Sequence, residues 1–247
     1  MKNIIYLILF ITEIFFAQNS FEKGNTLYQK GKYEQAISQY ESVLANQQHS
    51  PELYFNLGNC YYKLNKVAPS IYNYEKALLL NPDDSEIRTN LEFAQKLQID
   101  EIKVLPKVGF SKLILDFTSL LHYNTWAWIS VGLSTLFLLL FIGYYFSQFS
   151  SSKRVFFIGM IVILVLLLTT TITSIVAKKV YEAEKPAIVF AESIEVKSEP
   201  QKASTTAFIL HEGTKVFVLE SMSNWKKIQL TDGTEGWLDK NAIKEVK

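Results

Sequence analysis

Asn25 and Asn59 stand 34 residues apart, and so do Tyr28 and Tyr62. An asparagine amide donates and accepts at once, so two of them in register can run along an extended peptide backbone. The tyrosines repeat beside them as a polar-aromatic pattern. The alternative is that these amides and phenols simply solvate the surface they share. Two tryptophans near the other end, Trp225 and Trp237, are a second candidate set. Ile228 and Leu230 share one strand parity and should point inward, whereas Trp225 falls on the other parity with Lys227 and Gln229. Little else in the chain could do chemistry. Its three histidines (His49, His122, His211) are far apart, and Cys60 is the single cysteine. There is no nucleophile beside a base, no paired carboxylates, no glycine-rich phosphate loop and no metal-ligand spacing. The expectation is a binding protein without a catalytic site, cofactor or metal.

Composition narrows the partners. With 49% hydrophobic and 14% aromatic residues, the 247-residue chain has enough apolar surface to fold. Basic and acidic side chains number 25 and 24, a net charge of +1. No segment concentrates the positive field that a phosphate backbone needs, so no nucleic-acid partner is expected. One cysteine excludes a disulfide framework within the chain.

Three apolar runs set the frame. Residues 4–16 follow Lys2 and precede Ala17, which reads as a signal peptide over 1–17. An uncleaved anchor is the alternative, and either places residue 20 onward outside the cytoplasm. Residues 126–146 and 155–177 carry no charge and are long enough to cross the roughly 30 Å of bilayer hydrocarbon. The eight residues 147–154 between them include Lys153 and Arg154, as suits a cytoplasmic turn of a two-helix transmembrane hairpin. Trp126, Trp128, Tyr144 and Tyr145 fall near the ends of the first span, where aromatic rings favour the interface. Just before it, residues 110–121 gather Phe110, Leu113, Ile114, Phe117, Leu120 and Leu121 on one helical face. Such a helix either lies in the headgroup plane or caps the preceding domain.

The 34-residue spacing extends well beyond the asparagines. Gly24 and Gly58, Lys32 and Lys66, Ile37 and Ile71, Tyr40 and Tyr74, Glu41 and Glu75, and Leu44 and Leu78 all keep it, and Asn56-Leu57 recurs as Asn90-Leu91. Residues 53–64 with 70–82, and 24–44 with Gly31-Lys-Tyr-Glu-Gln-Ala36 at the turn, resemble the tetratricopeptide motif. The resemblance implies an all-α solenoid over 20–99, with units of about 20–50 and 51–84 and a capping helix over 85–98. It departs from the motif at Ser70, where alanine is preferred, and at Pro69, tolerated only in a first helical turn. Cys60 takes a small-residue packing position and is expected to be a buried thiol. Two units and a cap are near the minimum for an array, so the domain is expected to be only modestly stable alone, with completion by a partner as one option. Carried over by register, the family's inner face holds Asn25, Tyr28, Phe55, Asn59, Tyr62 and Lys63, implying a groove for peptide segments or proteins. Replacing Asn59 and Tyr62 is expected to spare the fold.

Past residue 186 the pattern turns strand-like. Stretches 187–190, 193–196, 215–219, 225–230 and 236–238 are short and β-rich, and Asp232-Gly233 reads as a tight hairpin turn. Five short strands in about 60 residues suit a small closed barrel. The strings 210–219, Asn224-Trp-Lys-Lys-Ile228 and Asp232-Gly-Thr-Glu-Gly-Trp237 resemble bacterial SH3-type domains, so an SH3-like barrel is expected over 187–247. Related domains bind cell-wall peptides or protein segments, for which Trp225 and Trp237 could form the platform. Alternatively both close the barrel ends.

This order of parts resembles BatE-type membrane proteins of the bacterial aerotolerance (Bat) operon. The resemblance implies a non-enzymatic inner-membrane scaffold with repeat and SH3-type domains in the periplasm. It also implies a role in oxygen tolerance or envelope stress. The implied partners are integrin-like metal-binding domain proteins and a MoxR-type ATPase of the same operon, with the lipid bilayer around the hairpin. The competing reading is a protein that binds or senses the cell wall.

Overall fold

A single left-handed residue turns the chain between the two helices of each repeat. Gly31 (φ 71°) and Asn65 (φ 56°) lie 34 residues apart, and these are the residue types that tolerate that region best. The surrounding hydrogen bonds repeat with them. Gly31 N donates to Tyr28 O and Lys32 N to Leu27 O, as Asn65 N does to Tyr62 O and Lys66 N to Tyr61 O. The computed structural model describes residues 20–102 and 110–247, so the signal-peptide reading of 1–17 lies outside the described residues. The helices joined by these turns are α1 (20–29) with α2 (Tyr33–Ala45) and α3 (Pro51–Lys63) with α4 (Val67–Leu80). Ser50 starts α3 by accepting from Leu53 N at 3.1 Å, with Pro51 in the first turn. Asp84 starts α5 (Ser85–Gln95) by accepting from Glu86 N and Ile87 N.

Within each pair a glycine makes room for a ring. A Cβ on Gly24 would lie 2.4 Å from the Tyr40 ring, and one on Gly58 2.6 Å from the Tyr74 ring. Tyr40 and Tyr74 are each only 1% exposed, so each glycine admits the largest side chain of its unit's core. Ser70 departs from the motif's alanine for a visible reason. Fully buried, it donates its hydroxyl to Gly58 O at 3.0 Å and ties α4 to α3. Pro69 is the third residue of α4, where its missing N–H breaks no helical bond. Cys60 is wholly buried, and burial pushes its thiol up to about 12.

The outer side of α4 is covered from within the chain. Of the described residues, 20–102 and Lys185–Lys247 form one compact unit, and 110–184 a second. Ile188 and Val246 of the C-terminal β-module join a core with Val67, Ile71, Tyr74, Ala77, Ile87 and Leu91 of the repeats. Polar contacts surround it. Lys215 Nζ donates to both Glu75 carboxylate oxygens, at 2.7 and 2.8 Å. Asp100 accepts from His211 N at 2.7 Å and the Thr214 hydroxyl at 2.6 Å, and its other oxygen lies 2.7 Å from His211 Nδ1. Gln98 donates to Gly213 O, and Gly213 (φ 88°) lies so close that a Cβ there would sit 2.9 Å from Val67. The short array, expected to be only modestly stable alone, is thus packed on by its own C-terminal sheet.

That sheet has seven antiparallel strands: β1 (Pro186–Val189), β2 (Ser193–Lys197), β3 (Thr206–His211), β4 (Lys215–Met222), β5 (Trp225–Gln229), β6 (Glu235–Asp239) and β7 (Ile243–Glu245). Their order is β3-β2-β6-β5-β4-β1-β7, and no pairing joins the end strands among the described residues. It is an open sheet where five strands in a closed barrel were expected. The strands not expected are the two at the edges. β3 buries Leu210 but leaves Ile209 half exposed, and β7 is three residues long, so neither shows a strong buried alternation. Gly233 (φ 84°) and Asp232, whose carboxylate accepts from Thr234 N, form the β5–β6 turn.

The second unit, described by itself, holds α6 (Phe110–Thr118), α7 (Tyr123–Phe146) and α8 (Ser150–Ala183). Both α7 and α8 are long and apolar enough to cross a membrane. The turn between them shrinks to residues 147–149, because 150–154 form the start of α8. Ser130 donates to Thr170 Oγ1 at 2.9 Å and Ser174 to Tyr123 O at 3.0 Å, closing the pair of helices with polar links. Trp128 is 73% exposed, but Trp126 is buried, donating its indole N–H to Thr118 O with its ring against Phe117. The amphipathic stretch read over 110–121 is helical to Thr118 and packs through Phe117 on this tryptophan.

Candidate functional site

The first helices of successive units present their side chains to a shared cleft. Tyr28 of α1, Asn59, Tyr62 and Lys63 of α3, and Glu86, Asn90 and Phe93 of α5 line a cavity of about 370 Å³, floored by Tyr74. Four of the six residues placed on the inner face by register therefore meet in one place. Asn25 and Phe55 do not line it. Phe55 packs on the repeat core, its ring 6.0 Å from that of Tyr74.

Both repeated asparagines already have partners. Asn25 Oδ1 accepts from Tyr40 Oη at 2.7 Å and from Asn56 Nδ2 at 3.0 Å. One repeat on, Asn59 Oδ1 accepts from Tyr74 Oη at 2.7 Å and from Asn90 Nδ2 at 3.0 Å. Each asparagine thus joins its own unit's second helix to the next unit's first. The ladder staples neighbouring repeats and satisfies the hydroxyl of a buried tyrosine. Burial pushes the phenols of Tyr40 and Tyr74 well up. Replacing Asn59 by Ala would orphan the Tyr74 hydroxyl at roughly 1–3 kcal/mol, so the expectation that this change spares the fold is corrected.

Side chains left to meet a ligand are Tyr28, Tyr62, Lys63, Glu86 and Phe93. Burial, and after it the neighbouring Tyr33, raises the Tyr28 phenol. The cleft thus offers hydroxyl donors, one cation, one carboxylate and aromatic rings, a mixture suited to a peptide rather than to a highly charged ligand. Glu86, Asn90 and Phe93 were not singled out from sequence. Asn90 was detectable, because it repeats Asn56 at the 34-residue period.

On the β-module, Trp225 pairs with Asp239 and Lys227 with Trp237 across β5 and β6. Directly paired residues share a face, so both tryptophans lie with Lys227 opposite the face that buries Ile228 and Leu238. Both are half-buried. Lys227 Nζ reaches Glu235 at 2.6 Å beside Trp237.

Comparison with known proteins agrees with the helical part. Residues 24–65 match a family model described as a TPR repeat, and 51–84 one described as a tetratricopeptide repeat. The chain contains tetratricopeptide repeats, whose general role is protein–protein interaction. Among curated proteins, it is similar to human tetratricopeptide repeat protein 16 and its counterpart in Macaca fascicularis. Each is 29% identical over 69 residues, which is 28% of this chain and 8% of theirs. The match thus spans under a tenth of those relatives' length.

Proposed function

We propose that this protein is a membrane-anchored, non-enzymatic scaffold that captures extended peptide or protein segments in the repeat cleft. The observation that carries this reading is the convergence of Tyr28, Tyr62, Lys63, Glu86 and Phe93 from three helices on one 370 Å³ cleft. Membrane anchorage rests on the α7–α8 pair, and the contacts between repeats and sheet add support. Domains that share a core occupy one compartment, and two spans, unlike one, return the chain to the compartment it left. The BatE-type likeness supports the periplasm as that compartment and integrin-like membrane proteins of an aerotolerance or envelope-stress complex, or peptide segments, as partners. The test is co-purification from native membranes with Tyr62→Ala and Lys63→Ala together. Capture should weaken by about thirtyfold or more, about 2 kcal/mol, with helicity retained and melting lowered only modestly, since Tyr62 also packs on the repeat core. Unchanged capture by the folded variant would remove the cleft as the site.

Topology is tested separately at Ser151, an exposed residue at the start of α8. In a Cys60→Ala background, Ser151→Cys should resist a membrane-impermeant thiol reagent in intact spheroplasts and react after permeabilisation. Ready labelling of intact spheroplasts would place both domains in the cytoplasm.

A second reading, cell-wall binding, is supported by Trp225 and Trp237 sharing the half-exposed outer face of the β-module. It requires retention on purified sacculi that is lost in Trp225→Ala.

A further inference from the structure

A second cavity, of about 250 Å³, opens at the joint between the repeats and the sheet and shares no lining residue with the peptide cleft. Across it runs a row made of a pair of touching rings with a cation at each end. Lys76 Nζ stands 5.7 Å from the centroid of the Tyr72 ring, and Tyr72 meets Phe190 edge-on at 5.6 Å. Lys244 Nζ lies 4.2 Å over Phe190. Lys76 and Tyr72 belong to α4, Lys244 to β7, and Phe190 follows β1, so the row exists only while the two domains are docked.

Neither ammonium has a carboxylate within ion-pair distance among the described residues, although Lys215 and Lys227 elsewhere on the module do. The acidic residue in the lining, Glu41, instead accepts from the Tyr61 hydroxyl at 2.9 Å. Lys76 is half-buried, and desolvation lowers its amine below the ordinary lysine value. A cation partly stripped of water and lacking a counter-charge gains most from an anion that takes the water's place. Leu44, Leu57 and Pro69 add apolar wall, which favours an anion carried on a hydrophobic body.

We infer that the joint is a ligand site for an organic anion, a carboxylate or phosphate on an apolar or aromatic body, held between Lys76 and Lys244. Because its walls come from both domains, occupancy strengthens their docking, so ligand binding and domain association are one linked equilibrium.

The test uses the full chain in detergent, titrated calorimetrically with phenyl phosphate, phenylacetate and, as an uncharged counterpart, benzyl alcohol. At least one anion should bind tenfold or more tighter than benzyl alcohol and raise the melting temperature. The stronger of the two names phosphate or carboxylate as the recognised group. Lys76→Gln and Lys244→Gln should each weaken that anion about tenfold or more. Without ligand both variants should stay folded and melt only slightly lower, because neither lysine holds an ion pair and each loses one ring contact. Equal affinity for all three probes, no binding of either anion, or wild-type affinity in both variants would overturn the site.

Discussion

Gly58→Ala is expected to destabilise the repeat domain by about 3 kcal/mol, and Gly58→Leu to unfold it. Helix propensity alone predicts the opposite sign, since alanine in a helix interior is worth up to about 1 kcal/mol over glycine. Packing decides the outcome. The new Cβ would sit 2.6 and 2.7 Å from two atoms of the Tyr74 ring, closer than carbon atoms approach. Overpacking costs about 1–3 kcal/mol where neighbours can give way. Tyr74 has little room to move, because it is almost fully buried and its hydroxyl is held by Asn59. The upper end of that range is therefore expected for one methyl, and an isobutyl group exceeds what a domain of about 5–15 kcal/mol can absorb. Hydrogen exchange of α3 and α4 in the full chain should show the loss of protection. Gly132→Ala in α7, where an added Cβ meets nothing within 4 Å, should keep or raise protection there. Adding Tyr74→Leu to Gly58→Ala should restore part of the protection. If Gly58→Ala is neutral, the ring is not what the glycine accommodates.

The repeats were legible in the sequence because every helix pair must solve the same local problem. A left-handed residue at 31 and 65, a glycine under a tyrosine at 24 and 58, and the amide at 25 and 59 recur at fixed spacing. What the amides do was not legible. Tyr40 and Asn56 reach Asn25 from different helices, and which atoms meet depends on how successive units stack. The inward parity of Ile228 and Leu230 followed from strand alternation, but the openness of the sheet depends on which strands pair. Domain docking was the least visible feature. Glu75 and Lys215 are 140 residues apart, Asp100 and His211 are 111 apart, and two apolar helices lie between. No periodicity links such pairs, so His211, one of three scattered histidines, gave no sign of its role.

Removing the Asp100 carboxylate should have the second largest effect, and an acid-dependent one. Asp100→Ala strips the acceptor from His211 N, the Thr214 hydroxyl and the His211 ring at once. Each donor left without a partner in this half-buried joint costs about 1–3 kcal/mol, and because the three share one acceptor the losses do not simply add. A total on the order of 3 kcal/mol is expected, enough to weaken the docking of sheet on repeats. Calorimetry should then resolve two transitions where the wild type, with a common core, gives one for these domains. Burial alone would raise the Asp100 carboxyl. The Thr214 hydroxyl, the His211 amide and the His211 ring outweigh that and hold it below the usual carboxylate range. A carboxyl whose folded value is depressed contributes stability that is fully present above its unfolded value, near 4, and is lost as pH falls through the folded one. The stability gap between wild type and Asp100→Ala should therefore be constant from neutral pH to about 5 and close progressively below about 4. A gap that persists unchanged in acid would mean that the Asp100 charge does not hold the joint. A gap absent at pH 7 would mean that the shared apolar core around Ile188 and Val246 suffices without it.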